Sequence, residues 1–214
     1  MRGERHDREA VAGRGAAEGE PSAFEREASG VSRSEPVSHT PVLADEVTFL
    51  LRPRSGGWLV DGTVGMGGHA ERLLERAGGD TRLLGIDRDP DALVRAARRL
   101  ARFGARVVLE HGSFRHLGAL ASRAGVEHAT AVLLDLGLSS YQIDESGRGF
   151  SFQGAEPLDM RFDPTEGRTA AELLSRLTAE EIARVLIEFG EERHAHRIAR
   201  ALVEQRRRAP VRTA

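Results

Sequence analysis

Between residues 58 and 135 the chain alternates short apolar runs with longer stretches of helical spacing. The runs are Trp58-Leu-Val-Asp61, Arg82-Leu-Leu-Gly-Ile-Asp87, Arg106-Val-Val-Leu109 and Ala131-Val-Leu-Leu-Asp135, each of strand length. A helix is predicted over His69–Arg76. Asp89-Pro90 opens another with an acidic cap and a proline in the first turn, and Ala92, Leu93, Ala96, Ala97 and Leu100 give it an apolar stripe. Phe114 and Leu117–Leu120 lie in or beside a further helix. Such β-then-α units in series predict an α/β fold with a doubly wound parallel sheet. Right-handed crossovers then cover both faces with helices and put the ligand site at the strands' C-terminal ends. Gly62, Asp87, His111 and Asp135 fall at those ends, and Asp135 is expected to close a buried strand at the switch in strand order.

The flanks follow other rules. Residues 1–38 are rich in Gly, Ala, Ser, Glu and Arg without apolar periodicity, which predicts a disordered tail. Order is expected from His39, with a short helix through Glu46, Val47, Leu50 and Leu51. After Ser140 the rhythm breaks. Residues 141–168 read as a long loop bearing Phe150, Phe152, Met160 and Phe162. Thr169–Arg176 and Ala179–Arg208 then read as helical, Thr178 capping the second stretch and Gly190 dividing it. No fifth strand is evident. The partition is a tail (1–38), a core of four strands (39–140), and a loop with a helical insertion (141–214).

The turn after the first strand carries Gly62, Gly65, Gly67 and Gly68. Glycines let the backbone approach a ligand closely, and a helix N-terminus offers free N–H groups to an anion. Asp87 ends the next strand about 20 residues on, where a carboxylate accepts from both hydroxyls of a ribose. The layout fits a nucleoside cofactor. Gly65-Met-Gly67-Gly68-His69-Ala70 also satisfies the dinucleotide fingerprint, so an NAD-dependent oxidoreductase and a user of S-adenosylmethionine (SAM) both remain open at this point.

Composition narrows the chemistry by exclusion. The sequence contains no cysteine, so thiolate metal sites and a cysteine nucleophile are absent from it; no metal site is expected. Every one of its 31 basic residues is arginine, which excludes a P-loop lysine and a Schiff base. The net charge of −2 gives no global field for nucleic acid. No apolar run approaches a membrane span and no secretory segment opens the chain, so a cytoplasmic protein without membrane contact is expected.

Several stretches together carry a resemblance. They are His39-Thr-Pro-Val-Leu43, Val60-Asp-Gly-Thr63 with Gly67-Gly-His69, Ile86-Asp-Arg-Asp-Pro90, and Leu134-Asp-Leu-Gly137 with Ser139-Ser140. They continue through Gln142, Gly149-Phe-Ser-Phe152, Pro157-Leu-Asp-Met-Arg161 and Gly190-Glu-Glu-Arg193 to Arg197-Ile-Ala199. In this order they resemble the 16S ribosomal RNA cytosine-N4 methyltransferases of the RsmH/MraW type. The resemblance implies a SAM-dependent methyltransferase sheet, incomplete here, with a helical subdomain inserted after the fourth strand. Family chains run on to further strands, so this one is expected to be C-terminally truncated. The implied cofactor is SAM and the implied partner is 16S rRNA within the small ribosomal subunit. The implied cofactor contacts are Gly67, Gly68, His69, Asp87, Phe114, Asp135 and Gln142. Tyr141 departs from the family, which usually has proline there.

Each candidate has an ordinary alternative. Asp87 could simply cap the next helix, Asp135 a loop, and Phe114 could be a core aromatic. At His69 the backbone N–H, rather than the imidazole, is expected to serve. The reaction implied is methyl transfer to an exocyclic amine whose lone pair is delocalised into the ring. An acceptor must orient that amine, and Asp135, Ser139 and Ser140 are the candidates. Cytosine C5 chemistry usually needs a cysteine, so its absence favours nitrogen. Phe150, Phe152, Tyr141 and Phe162 could stack on an unstacked base or form a core under the loop. Arg193, Arg197 and Arg200, with Arg206–Arg208 beyond, could meet phosphates or form a solvated helix face. A non-catalytic RNA-binding remnant is the third reading of the chain.

Overall fold

The structure is a computed structural model that describes residues 41–214. The tail expected over 1–38, and His39 with Thr40, lie outside the described residues. Helix α1 (Ala44–Leu51) precedes β1 (Trp58–Asp61), α2 (Gly68–Arg76), β2 (Arg82–Asp87) and α3 (Pro90–Leu100). A 3-10 turn leads to β3 (Val107–His111), a second one to α4 (Leu117–Arg123), and then β4 (Ala129–Leu133) follows. The four strands lie in the order β3-β2-β1-β4, all parallel. Strand order therefore reverses between β1 and β4.

Both sheet faces are covered. Leu59 and Leu83 point to one face, where Ala70, Leu73 and Leu74 of α2 and Leu93, Ala96 and Leu100 of α3 pack on them. Val60, Leu84 and Ile86 point to the other, against Leu117 and Leu120 of α4. The alternation in β1 and β2 thus feeds two thin cores, as a doubly wound sheet requires. Asp89 caps α3 by accepting from the Asp91 N–H, with Pro90 in the first turn, as the sequence predicts.

The fourth strand differs from expectation. It covers 129–133 rather than 131–135, and it is not buried: Val132 is 46% exposed and Leu134 44%. The physical reason is that β4 pairs only with β1 among the described residues, and α4 shields β1–β3. An apolar run reads as a buried strand from sequence whether or not a neighbour covers it.

The expected break at 140/141 falls inside a short helix, α5 (Ser140–Asp144), whose cap is Ser139. An irregular segment then leads to α6 (Ala170–Arg176), α7 (Ala179–Gly190) and α8 (Ala195–Arg208). Thr169 and Thr178 each form a capping box with the glutamate three residues on, Glu172 and Glu181. These helices share a small core of Ile182, Ala183, Ala195 and Ala199. The chain's last residues return to the irregular segment, where Leu158 N–H donates to the Arg212 carbonyl at 2.8 Å. No helix among the described residues is long and apolar enough to cross a membrane, and no cluster among them could hold a metal ion.

Candidate active site

A cleft of about 530 Å³ opens at the C-terminal ends of β1, β2 and β4, where strand order reverses. That volume lies within the usual range for small-molecule sites. Its first wall is the turn after β1. Gly65 and Gly67 both have positive φ, 51° and 82°, a conformation that L side chains rarely adopt. A Cβ at Gly62 would come within 2.5 Å of Leu134 Cδ2, so glycine lets the chain leaving β4 pass close to the turn. Helix α2 begins at Gly68 without a side-chain cap, and Gly68 and His69 line the cleft. Its first-turn N–H groups therefore face a space where an anion fits. Gly67 does not itself line the cleft; it is the N-cap of α2.

The second wall is Asp87. Its Oδ2 accepts from Gly65 N–H at 2.7 Å and its Oδ1 from Asp89 N–H at 2.9 Å. The carboxylate thus ties the glycine turn to the start of α3, with acceptor capacity left for a ligand. Burial pushes its pKa up from the usual carboxylate range, outweighing the two backbone hydrogen bonds. Phe114 lines the same cleft from the 3-10 turn after β3.

The third wall follows β4. Asp135 lies two residues beyond the strand, its N–H donating to the Thr63 hydroxyl at 2.7 Å. Its side chain is 59% exposed, and Oδ2 lies 3.4 Å from His69 Nε2. The His69 imidazole, not only its backbone, therefore belongs to the site. Burial lowers the His69 pKa against the pull of Asp135, which favours the neutral ring. Ser139 and Ser140 also line the cleft. Ser139 Oγ accepts from Gln142 N–H at 3.2 Å, while Gln142 Oε1 accepts from Ser139 N–H at 3.0 Å. Gln142 Nε2 donates to Asp89 Oδ2 at 3.0 Å. Gln142 is thus buried and braced, and lines the cleft through a side chain already engaged on both amide atoms.

The expected aromatic cluster does not gather at the cleft. Phe162 lines it, and Phe150 packs edge-on against Phe162 with ring centroids 5.7 Å apart. Phe152 is 92% exposed and stands apart, and Tyr141 is buried under Arg95, whose guanidinium lies 4.0 Å from the ring centroid. Among the arginines, Arg193 precedes α8 rather than sharing its face. Arg206 donates to the carbonyls of Leu174 and Leu177 at the end of α6, so it serves the fold. Arg197 and Arg200 remain exposed on α8.

Two groups went unassigned in the sequence reading. Asp61 is 1% exposed at the end of β1, and burial, with the charges of Asp87 and Asp135 adding, pushes its carboxyl up to about 7 against the Thr63 N–H bond. Its place at a strand's C-terminal end was the available signal. Arg148 is buried against Asp89. No local pattern marks it, since its partner lies 59 residues away.

The MraW methylase family matches residues 36–214. The chain belongs to that family. Two curated MraW-type relatives carry the name ribosomal RNA small subunit methyltransferase H. The one from Syntrophotalea carbinolica is 47% identical over 82% of this chain and 56% of its own length. The one from Symbiobacterium thermophilum is 49% identical over 82% of this chain and 55% of its own length. The chain therefore spans little more than half the length of these relatives. Solved structures match more weakly: an rRNA methylase from Streptococcus thermophilus has a TM-score of 0.36 and 21% identity, covering 44% of this chain and 53% of that one. The fold assignment rests on the sheet topology and the family match, which bear out the expected parallel methyltransferase sheet.

Proposed function

We propose that this chain holds the cofactor-binding and acceptor-orienting part of a SAM-dependent methyltransferase that acts on a cytidine N4 of small-subunit ribosomal RNA. The observation that carries the reading is the convergence of three features on one cleft: the uncapped start of α2, the Asp87 carboxylate and the His69–Asp135 pair. The relatives' name supplies the small-subunit rRNA, and the family resemblance supplies the cytidine N4.

These residues suit SAM. The first-turn N–H groups of α2 would take its carboxylate, Asp87 its ribose hydroxyls, and Phe114 its adenine face. When bound, SAM supplies an electrophilic methyl on a positively charged sulfur. Asp135 would accept a hydrogen bond from the acceptor amine and turn its lone pair out of conjugation. Neutral His69, as the Nε2–H tautomer, would hold that carboxylate in place. Once methylated, the acceptor amine would carry a surplus proton, which Asp135 or solvent would take. Ser139 caps α5 and Ser140 begins it; both line the same cleft and would offer further hydroxyl contacts to the base.

Thermal unfolding with SAM or NAD tests the cofactor, since a ligand that binds only the native state raises the midpoint. The expected result is a rise with SAM and none with NAD; the reverse would sink the reading. Transfer of labelled methyl from SAM to small ribosomal subunits tests the reaction. Asp135→Ala is expected to abolish transfer, and full activity in that variant would remove its assignment. RNA binding without SAM binding would instead favour a non-catalytic remnant.

A further inference from the structure

Arg148 lies in the irregular segment after α5, with only 8% of its side chain exposed. Its Nη2 donates to the Asp89 carboxylate, which is fully buried. Its Nη1 donates to the backbone carbonyls of Arg161 at 3.2 Å and Phe162 at 2.7 Å. Its Nε is buried with no hydrogen-bond partner among the described residues. As a device for stability alone this is a poor choice. Desolvation of a buried ion pair offsets most of its Coulomb gain, and an unsatisfied N–H adds to the cost.

What the guanidinium joins is more telling. Asp89 caps α3, and its own N–H donates to Asp87, which lines the cleft. Gln142 donates to the same Asp89 oxygen and holds the Ser139 N–H, beside the acceptor wall. Phe162, whose carbonyl Arg148 grips, lines the cleft from the irregular segment. Three walls of the cleft therefore meet at the Asp89–Arg148 contact. A rigid planar fork reaches a carboxylate and two carbonyls at once, which the single ammonium of a lysine does not.

We infer that Arg148 is a positioning residue: its guanidinium sets the Phe162 wall of the cleft against the Asp87 wall, so that the acceptor side is assembled on the cofactor side. The terms cofactor side and acceptor side rest on the function proposed above; the coupling of the two walls does not. A second tie, His111 Nε2 to Asp163 Oδ2 at 2.8 Å, keeps the segment attached when Arg148 is changed.

The test is amide hydrogen exchange on the 214-residue chain and two variants, with and without SAM. Arg148→Met leaves the Asp89 charge buried and unpaired, so it also destabilises. The double variant Asp89→Ser, Arg148→Met removes both charges, and serine still caps α3 without setting a second NH2 group against Gln142 Nε2. The double variant is expected to melt above the single variant. Its amides over 159–163, including the Met160 N–H that now donates to the Arg148 carbonyl, are expected to lose about tenfold or more in protection. Those of β1–β3 are expected to hold. SAM is expected to protect 159–163 in the wild type but not in the double variant, while protecting the glycine turn in both. A role confined to the ion pair would be rescued by the double variant. Wild-type protection of 159–163 there would overturn the proposal. So would uniform loss across sheet and segment in both variants, which would make Arg148 a requirement of the whole fold. Local loss at 159–163 with no SAM effect on any chain would support the role of Arg148 and count against the cofactor reading alone.

Discussion

Strands β2 and β4 each deliver one carboxylate to the same cleft, yet they are built oppositely. β2 runs between β1 and β3, and Leu83, Leu84, Gly85 and Ile86 are all buried. Its aspartate, Asp87, is pinned by two backbone N–H groups. β4 lies beside β1 alone among the described residues, with Val132 and the following Leu134 half exposed, and Asp135 just beyond it is 59% exposed and met by one imidazole. Under the function proposed above, the difference suits a division of labour. A carboxylate that recognises a fixed diol gains from being immobile and desolvated. A carboxylate that must admit a large nucleic-acid acceptor has to stand where that acceptor can arrive.

The comparison breaks most readily on packing. Leu84→Ala in β2 is expected to cost about 2–5 kcal/mol of unfolding free energy, and Val132→Ala in β4 less than about 1 kcal/mol. Urea unfolding of both variants measures this, and equal losses would show that β4 is covered in solution.

Buried Asp61, which feels the charges of both carboxylates, should register in the pH dependence. Its folded pKa is raised to about 7 from 3.8, so between those values the folded state binds more protons than the unfolded one. Stability from this group is therefore lost as pH rises from about 4 to 7, by at most about 4 kcal/mol. His69, lowered by burial, acts with the opposite sign: its contribution is present above 6.5 and lost as pH falls through its folded pKa. Asp61→Asn keeps an acceptor for the Thr63 N–H and leaves His69 in place. The stability of wild type relative to this variant should fall over that window, and a flat difference would show that Asp61 titrates normally.

Ligand binding separates the two aspartates further. Asp87→Ala is expected to weaken SAM by about 30-fold, or about 2 kcal/mol, in a calorimetric titration. Unchanged affinity would return Asp87 to a purely structural link between the glycine turn and α3. A smaller effect than at Asp87 is expected at His69→Leu, which keeps the backbone N–H and removes the imidazole. Methyl transfer should fall about fivefold, near 1 kcal/mol, with SAM affinity within about twofold of wild type. A loss of affinity instead would place the ring on the cofactor side.

Much of this architecture is local in origin and was legible for that reason. β1 and β2 lie on the residues their apolar runs marked, and Asp89-Pro90 and Thr178 cap the helices they announce. Gly68, His69, Asp87 and Asp135 reach one cleft because their places at strand ends and helix starts follow from the βαβ order, and Phe114, Ser139, Ser140 and Gln142, marked by the family resemblance, line it too. Exposure was not legible. An apolar strand looks the same with one neighbour as with two, so β4 was read as buried. Phe152 and Phe162 look alike in the chain, and only one lines the cleft.

The sequence by itself determined the parallel sheet, the glycine turn, the helix caps and the carboxylates that end β2 and follow β4. Periodicity, capping and glycine conformations act over a few residues and can be read in order. Only the tertiary structure decided that the His69 ring meets Asp135, that Asp61 is buried within reach of two other negative charges, and that Arg148 reaches Asp89 across 59 residues. Those contacts depend on how the sheet and the irregular segment fold over one another, and no local pattern encodes a distance between residues so far apart.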